Sequence, residues 1–167
     1  LDAAFCVVDE RSLRGWWERD GGPVTTRLTA QVWAGTVLTA GVPALWGSLL
    51  AGVPALIKAS AGQGAFAALL ARALTHHAPE LGPTVGAVGF ARSDARSVAA
   101  LLADAEVLVA FGEDAAVEAL RELAKGRSVL GFGHRVSAAL LGEEPVQDSV
   151  LEGLARDALA HDGLGCL

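Results

Sequence analysis

The chain has 167 residues, 52% of them apolar, which is enough for one domain with a buried core. With 19% charged residues it is no disordered chain, and a net charge of −6 without any basic cluster argues against a nucleic-acid surface. Cys6 and Cys166 are the only cysteines and lie far apart, so there is no disulfide framework and a reducing cytoplasm is the default setting.

Residues 1–28 are polar and mixed and read as a lead-in. Within them "DERSLRGWWERD" (Asp9–Asp20) predicts a short helix, opened by an acid and closed by Gly21-Gly22-Pro23. From residue 29 to residue 160 short apolar runs alternate with helical patterns. The runs are Gln31–Gly35, Pro54–Lys58, Thr84–Gly89, Glu106–Phe111 and Ser128–Phe132. The helical patterns are Val42–Ala51, Gln63–His77, Ser93–Ala103, Asp114–Lys125 and Gln147–His161. In "AFAALLARAL" and "DAAVEALRELAK" apolar residues return every three or four positions, one buried stripe per helix. Gly41–Ile57 comes nearest to a membrane span, but Pro43, Gly47, Gly52 and Pro54 cut it into a helix and a strand. "LGEEPVQD" (Leu141–Asp148) is the clearest loop.

Short strands buried on both faces and alternating with helices mean βαβ units. The expected fold is therefore α/β: a Rossmann-like parallel sheet of about five strands with helices on both faces. Ligands of such sheets gather beyond the C-terminal strand ends, and four places qualify. Lys58-Ala59-Ser60 ends the second strand, where a lysine either snorkels to solvent or reaches a ribose or phosphate. Gly112 lies where the fourth strand turns into a helix, but Glu113 and Asp114 follow, and acids there cap a helix and repel a diphosphate. "GFGHR" (Gly131–Arg135) offers close approach at Gly131 and Gly133, a weak signal with no GxGxxG anywhere. The last is Cys166 in "HDGLGCL" (His161–Leu167), either a small buried hydrophobe or a nucleophile in a glycine frame. His76 and His77 end a helix, and no His/Cys spacing suits zinc, so no metal is expected.

Taken in order, these pieces resemble the acyl-CoA reductase branch of the aldehyde dehydrogenase superfamily, which includes the fatty-acid reductase subunit of bacterial luminescence. "WAGTVLTAGVPALWGSLLAGVPALIKAS" looks like that branch's Gly-Asn-Val-Pro segment running through a helix into a strand that ends in Lys-x-Ser. "VLVAFGEDAAVEAL" looks like its strand–glycine–helix element. "VLGFGHRVS" looks like its Phe-Gly-His-Arg/Lys-x-Ser element, and "HDGLGC" like the approach to its catalytic cysteine. The resemblance covers roughly residues 30 to 167.

By position the resemblance implies that Cys166 attacks the acyl-CoA thioester, expels CoA and holds the acyl group until hydride from a reduced nicotinamide releases the aldehyde. It implies that Lys58 holds the adenosine ribose or its phosphate and that Gly112 sits beneath the diphosphate, with Ser60, Gly131 and Gly133 also binding the cofactor. Three departures from the pattern matter. Where aldehyde-oxidising members carry a glutamate that activates water, position 131 is glycine, which favours reduction. Where NAD-preferring relatives place a glutamate three residues after the lysine, this chain has Ala61, which favours NADPH over NADH. Thr36 stands where the family has an oxyanion-holding asparagine, and loss of one such donor costs about a hundredfold in rate.

The expectation is thus a fragment of an NADPH-dependent acyl-CoA reductase, bacterial and cytoplasmic. A lead-in (1–28) precedes a cofactor domain (29–160), and 161–167 begin a truncated catalytic domain. Leu1 in place of Met, with no methionine in the chain, is the basis for reading it as a piece, inactive alone. Expected partners are the acyl-CoA substrate, the missing catalytic domain of the same polypeptide and a second copy in a homo-oligomer; no nucleic acid and no membrane span are expected. The rival readings are an acyl-phosphate reductase of the same superfamily and a non-catalytic nucleotide-binding or assembly module with a structural Cys166.

Overall fold

The computed structural model describes residues 9–22, 24–35, 37–135, 138–142 and 146–159. Thr36 and Cys166 lie outside these residues. The chain separates into two compact units, one through Gly133 and one from His134.

The first unit holds helix α1 (Glu10–Asp20), strand β1 (Thr29–Val32), α2 (Val42–Leu50), β2 (Ala55–Ala59) and α3 (Gly64–His77). A 3₁₀ turn, Gly82–Thr84, leads into β3 (Val85–Gly89), followed by α4 (Ala95–Ala103), β4 (Val107–Phe111), α5 (Asp114–Leu123) and β5 (Ser128–Phe132). The five strands form one parallel sheet in the order β3-β2-β1-β4-β5. This is the expected α/β fold. The chain winds outward from β1 through β2 to β3, then returns to the other side of β1 for β4 and β5. The strand order therefore reverses between β1 and β4, the place beyond the strand ends where sheets of this kind bind ligands.

Capping residues set several boundaries. The Asp9 carboxylate accepts the Ser12 N–H at 2.7 Å and starts α1, and Asp94 accepts the Ser97 N–H at 3.1 Å to start α4. Pro43 sits in the first turn of α2, where its missing N–H leaves no helical bond unmade. One strand departs from expectation. β1 starts at Thr29, two residues before the apolar run Gln31–Gly35, and ends at Val32, three residues before that run does. The reason is register: Thr29 and Ala30 already lie opposite Ala55 and Leu56 on one side and Val107 and Leu108 on the other. Its entry is held by the Arg27 guanidinium, whose Nε donates to Glu106 Oε1 at 2.6 Å.

The core has two layers. On one face Trp33, Ala55, Ile57 and Ala59 pack against Val42 and Leu45 of α2 and Ala67 and Leu74 of α3. On the other Ala30 and Leu108 meet Leu101 and Leu102 of α4, with Leu120 and Val129 beside them. The edge strands are less covered, and Leu130 and Phe132 of β5 remain 51% and 41% exposed. The second unit contains α6 (Asp148–Leu159), which begins one residue after the predicted start and buries none of its described side chains. Among the described residues no helix is long and apolar enough to cross a membrane.

Candidate nucleotide site

The predicted site residues that the structure describes fall in two groups along the C-terminal edge of the sheet, one on each side of β1. The first group surrounds the end of β2. Lys58 is the fourth residue of that strand, and its ammonium lies 5.5 Å from the centre of the Phe90 ring. Burial pushes the Lys58 pKa down, and the positive charge of Arg92, beyond the end of β3, adds to the shift. No carboxylate pairs with either cation among the described residues. The electrostatic demand at this corner is therefore for an anion.

Ser60 follows directly after β2. Its Oγ is buried and has no hydrogen-bond partner. The loop leaving β1 crosses over it so closely that a Cβ on Gly35 would stand 3.3 Å from that oxygen. Three residues on, Gln63 is only 6% exposed, its N–H donates to the Ser60 carbonyl at 3.0 Å, and its Oε1 has no partner. Buried polar atoms are nearly always paired, so two orphans in the turn that follows β2 mark a place able to take a polar ligand. Neither Gln63 nor Arg92 is legible as a site residue in the sequence. Both stand in turns: pairing of β3 with β2 brings Arg92 near enough for its charge to act on Lys58, and the turn after β2 buries Gln63.

The second group surrounds the ends of β4 and β5. Gly112 has φ 156°, a conformation that side chains resist, and its N–H donates to the Phe132 carbonyl at 3.2 Å. Gly131 and Gly133 lack a Cβ for a different reason from ligand approach. A Cβ on Gly131 would overlap Val117 Cγ1 of α5, and one on Gly133 would overlap the Asp114 carboxylate. Their absent side chains let α5 lie close on the strand. Glu113 and Asp114 open that helix, so negative charge stands at its N-terminus where a diphosphate site would favour none.

A buried polar chain joins Trp33, just after β1, to Gln31 of that strand and to α2. Trp33 Nε1 donates to Gln31 Oε1 at 3.1 Å, and Gln31 Nε2 donates to Ser48 Oγ at 3.0 Å and to the Ala44 carbonyl at 3.2 Å. Gln31 is fully buried in the third position of β1. Among the described residues no group of three or more His, Cys, Asp or Glu could hold a metal ion.

A comparison with curated proteins returns no match. The model of the family described as acyl-CoA reductase (LuxC) matches residues 13–167, nearly the whole chain, and the chain belongs to that family.

Proposed function

We propose that this chain supplies the dinucleotide-binding sheet of an NADPH-dependent acyl-CoA reductase, with Cys166 as its nucleophile. The family match supports acyl-CoA as the substrate over an acyl phosphate. The observation that carries the cofactor reading is the anion-seeking corner of Lys58 and Arg92 at the end of β2, together with the orphaned oxygens of Ser60 and Gln63 in the turn that follows that strand. A ribose 2′-phosphate fits that donor set. Lys58 and Arg92 meet its charge, and the free 3′-hydroxyl of the same ribose can donate to the Ser60 or Gln63 oxygen. Ala61 adds no competing carboxylate.

In this reading the thiolate of Cys166 attacks the thioester carbon, the bond to CoA sulfur breaks, and the acyl group passes to the enzyme as a new thioester. The reduced nicotinamide, when bound, supplies the hydride that releases the aldehyde. Lys58 and Arg92 fix the adenosine end, and the Gly112 turn lets the chain pass close to the diphosphate. Position 131 carries no base to activate water, so the thioester is kept for reduction.

Two measurements test the proposal. Intact-mass analysis after incubation with a long-chain acyl-CoA is expected to show an acyl adduct on Cys166, absent in Cys166→Ser and discharged by NADPH. Lys58→Met and Arg92→Gln are each expected to weaken NADPH binding about tenfold and NADH binding far less. Equal loss for both cofactors refutes the 2′-phosphate assignment. Absence of any adduct refutes the nucleophile.

A further inference from the structure

We infer that the Phe111–Phe132 pair is the platform on which the nicotinamide ring stacks. The inference rests on the dinucleotide reading above. Phe111 and Phe132 are register partners at the ends of β4 and β5, and their rings lie nearly parallel, 4.7 Å apart with 10° between planes. Such an offset stack leaves the outer face of one ring free to take another flat ring. Phe132 is that outer ring: it is 41% exposed, although it ends a strand of the main sheet.

Its environment explains why core packing does not use it. Along β5, Val129 packs into the layer under α4 and α5, and Gly131 lies against Val117 of α5. Alternation therefore turns Leu130 and Phe132 to the opposite face, where the packed helices α2 and α3 cover β1 to β3. An apolar aromatic surface is left bare at the C-terminal edge of the sheet. Gly112, on the adjoining turn, adds no side chain in front of it.

Distance supports the same assignment. β2 and β5 are three strand spacings apart, about 14 Å across the sheet. Lys58 and Phe132 thus end strands on either side of the reversal of strand order; Lys58, in register with Gly131, turns to the α4 and α5 face and Phe132 to the other, so an extended dinucleotide joining them passes over the C-terminal edge of the sheet. A cation pair with polar orphans at one end fits a phosphorylated ribose. A flat apolar platform at the other fits an aromatic amide ring. A cationic oxidised ring would gain further from the aromatic face.

The test compares two ligands on the 167-residue chain: NADPH, and ADP-ribose 2′-phosphate, which is NADPH without its nicotinamide. Phe132→Leu keeps apolar volume and removes the stack; Phe132→Tyr keeps the ring. Calorimetric titration is expected to show that Phe132→Leu weakens NADPH about fivefold while the truncated ligand binds unchanged, and that Phe132→Tyr binds both as the parent does. Equal weakening of both ligands, or of neither, overturns the platform and leaves the dinucleotide reading standing. If the parent chain binds neither ligand, the dinucleotide reading itself falls and the platform with it.

Discussion

Replacing Gln31 with leucine removes the centre of the buried polar chain and nothing exposed, so its cost can be worked out bond by bond. Three hydrogen bonds disappear: those from Trp33 Nε1, to Ser48 Oγ and to the Ala44 carbonyl. Two of the three former partners remain satisfied, because Ser48 Oγ still donates to the Ala44 carbonyl at 3.1 Å and keeps Thr29 Oγ1 at 3.2 Å. Trp33 Nε1 alone is orphaned, on a side chain 2% exposed. An unpaired buried donor costs roughly 1–3 kcal/mol, and the apolar contacts of leucine offset part of it. The expected loss is about 2 kcal/mol, or about 6 °C in Tm for a chain of this size. Urea unfolding of Gln31→Leu, Trp33→Phe and the double variant forms a cycle that isolates the term. In the Trp33→Phe background there is no donor to orphan, so Gln31→Leu should cost less than about 1 kcal/mol. The same loss in both backgrounds would refute the reasoning.

Three further outcomes follow from named contacts. Gly131→Ala should destabilise the protein by roughly 1–3 kcal/mol in urea unfolding, because its Cβ overlaps Val117, and Val117→Ala should recover much of that loss. The hydrogen bond from Arg27 holds the Glu106 carboxyl below its ordinary value of 4.5, so the unfolded chain binds the proton more tightly than the folded one. That stability is present above pH 4.5 and is lost as pH falls through the folded value; Glu106→Gln should flatten this acid limb of a Tm-versus-pH curve. Gly41→Asn should cost about 2 kcal/mol, because any Cβ at 41 falls on the Trp33 indole. Thermal unfolding in a Trp33→Ala background should show that penalty shrink, and an unchanged penalty would mean that the indole does not fill the space.

Much of this was legible where one physical signal acts alone. β5 matches its predicted bounds because Ser128–Phe132 is an apolar run closed by a glycine, and α4 and α5 begin within two residues of the positions that Ser93 and Asp114 mark. β1 was not, since its first residue is polar in type: Thr29 is buried through bonds to Ser48 and the Pro54 carbonyl, which periodicity cannot foresee. At the site, Lys58 and Ser60 are readable as a strand end. Arg92 and Gln63 join them only through the pairing of β2 with β3 and the turn into α3. The glycines of "GFGHR" show the opposite failure. A missing Cβ looks the same in sequence whether it admits a ligand or a helix, and at Gly131 and Gly133 the neighbour is α5.

That ambiguity bears on the oxyanion donor. A Gly-Asn-Val-Pro pattern can be laid on the segment after β1 in two registers. One sets the asparagine at Thr36. The other keeps the Val-Pro pair together at Val42-Pro43, in the first turn of α2, and sets the asparagine at Gly41. In the second register the exchange has a physical logic. The Trp33 indole lies directly over Gly41, is anchored by its bond to Gln31 and tilts against Phe66 at 6.3 Å. An amide side chain at 41 and an indole at 33 exclude each other. The chain therefore holds its loop with buried aromatic surface in the space that a polar donor would otherwise fill. In either register no amide side chain stands at that position, and under the proposed reductase reading this predicts a chemical step slowed about a hundredfold. In the second register an amide restored at 41 requires removal of the Trp33 indole, because the two would occupy the same space.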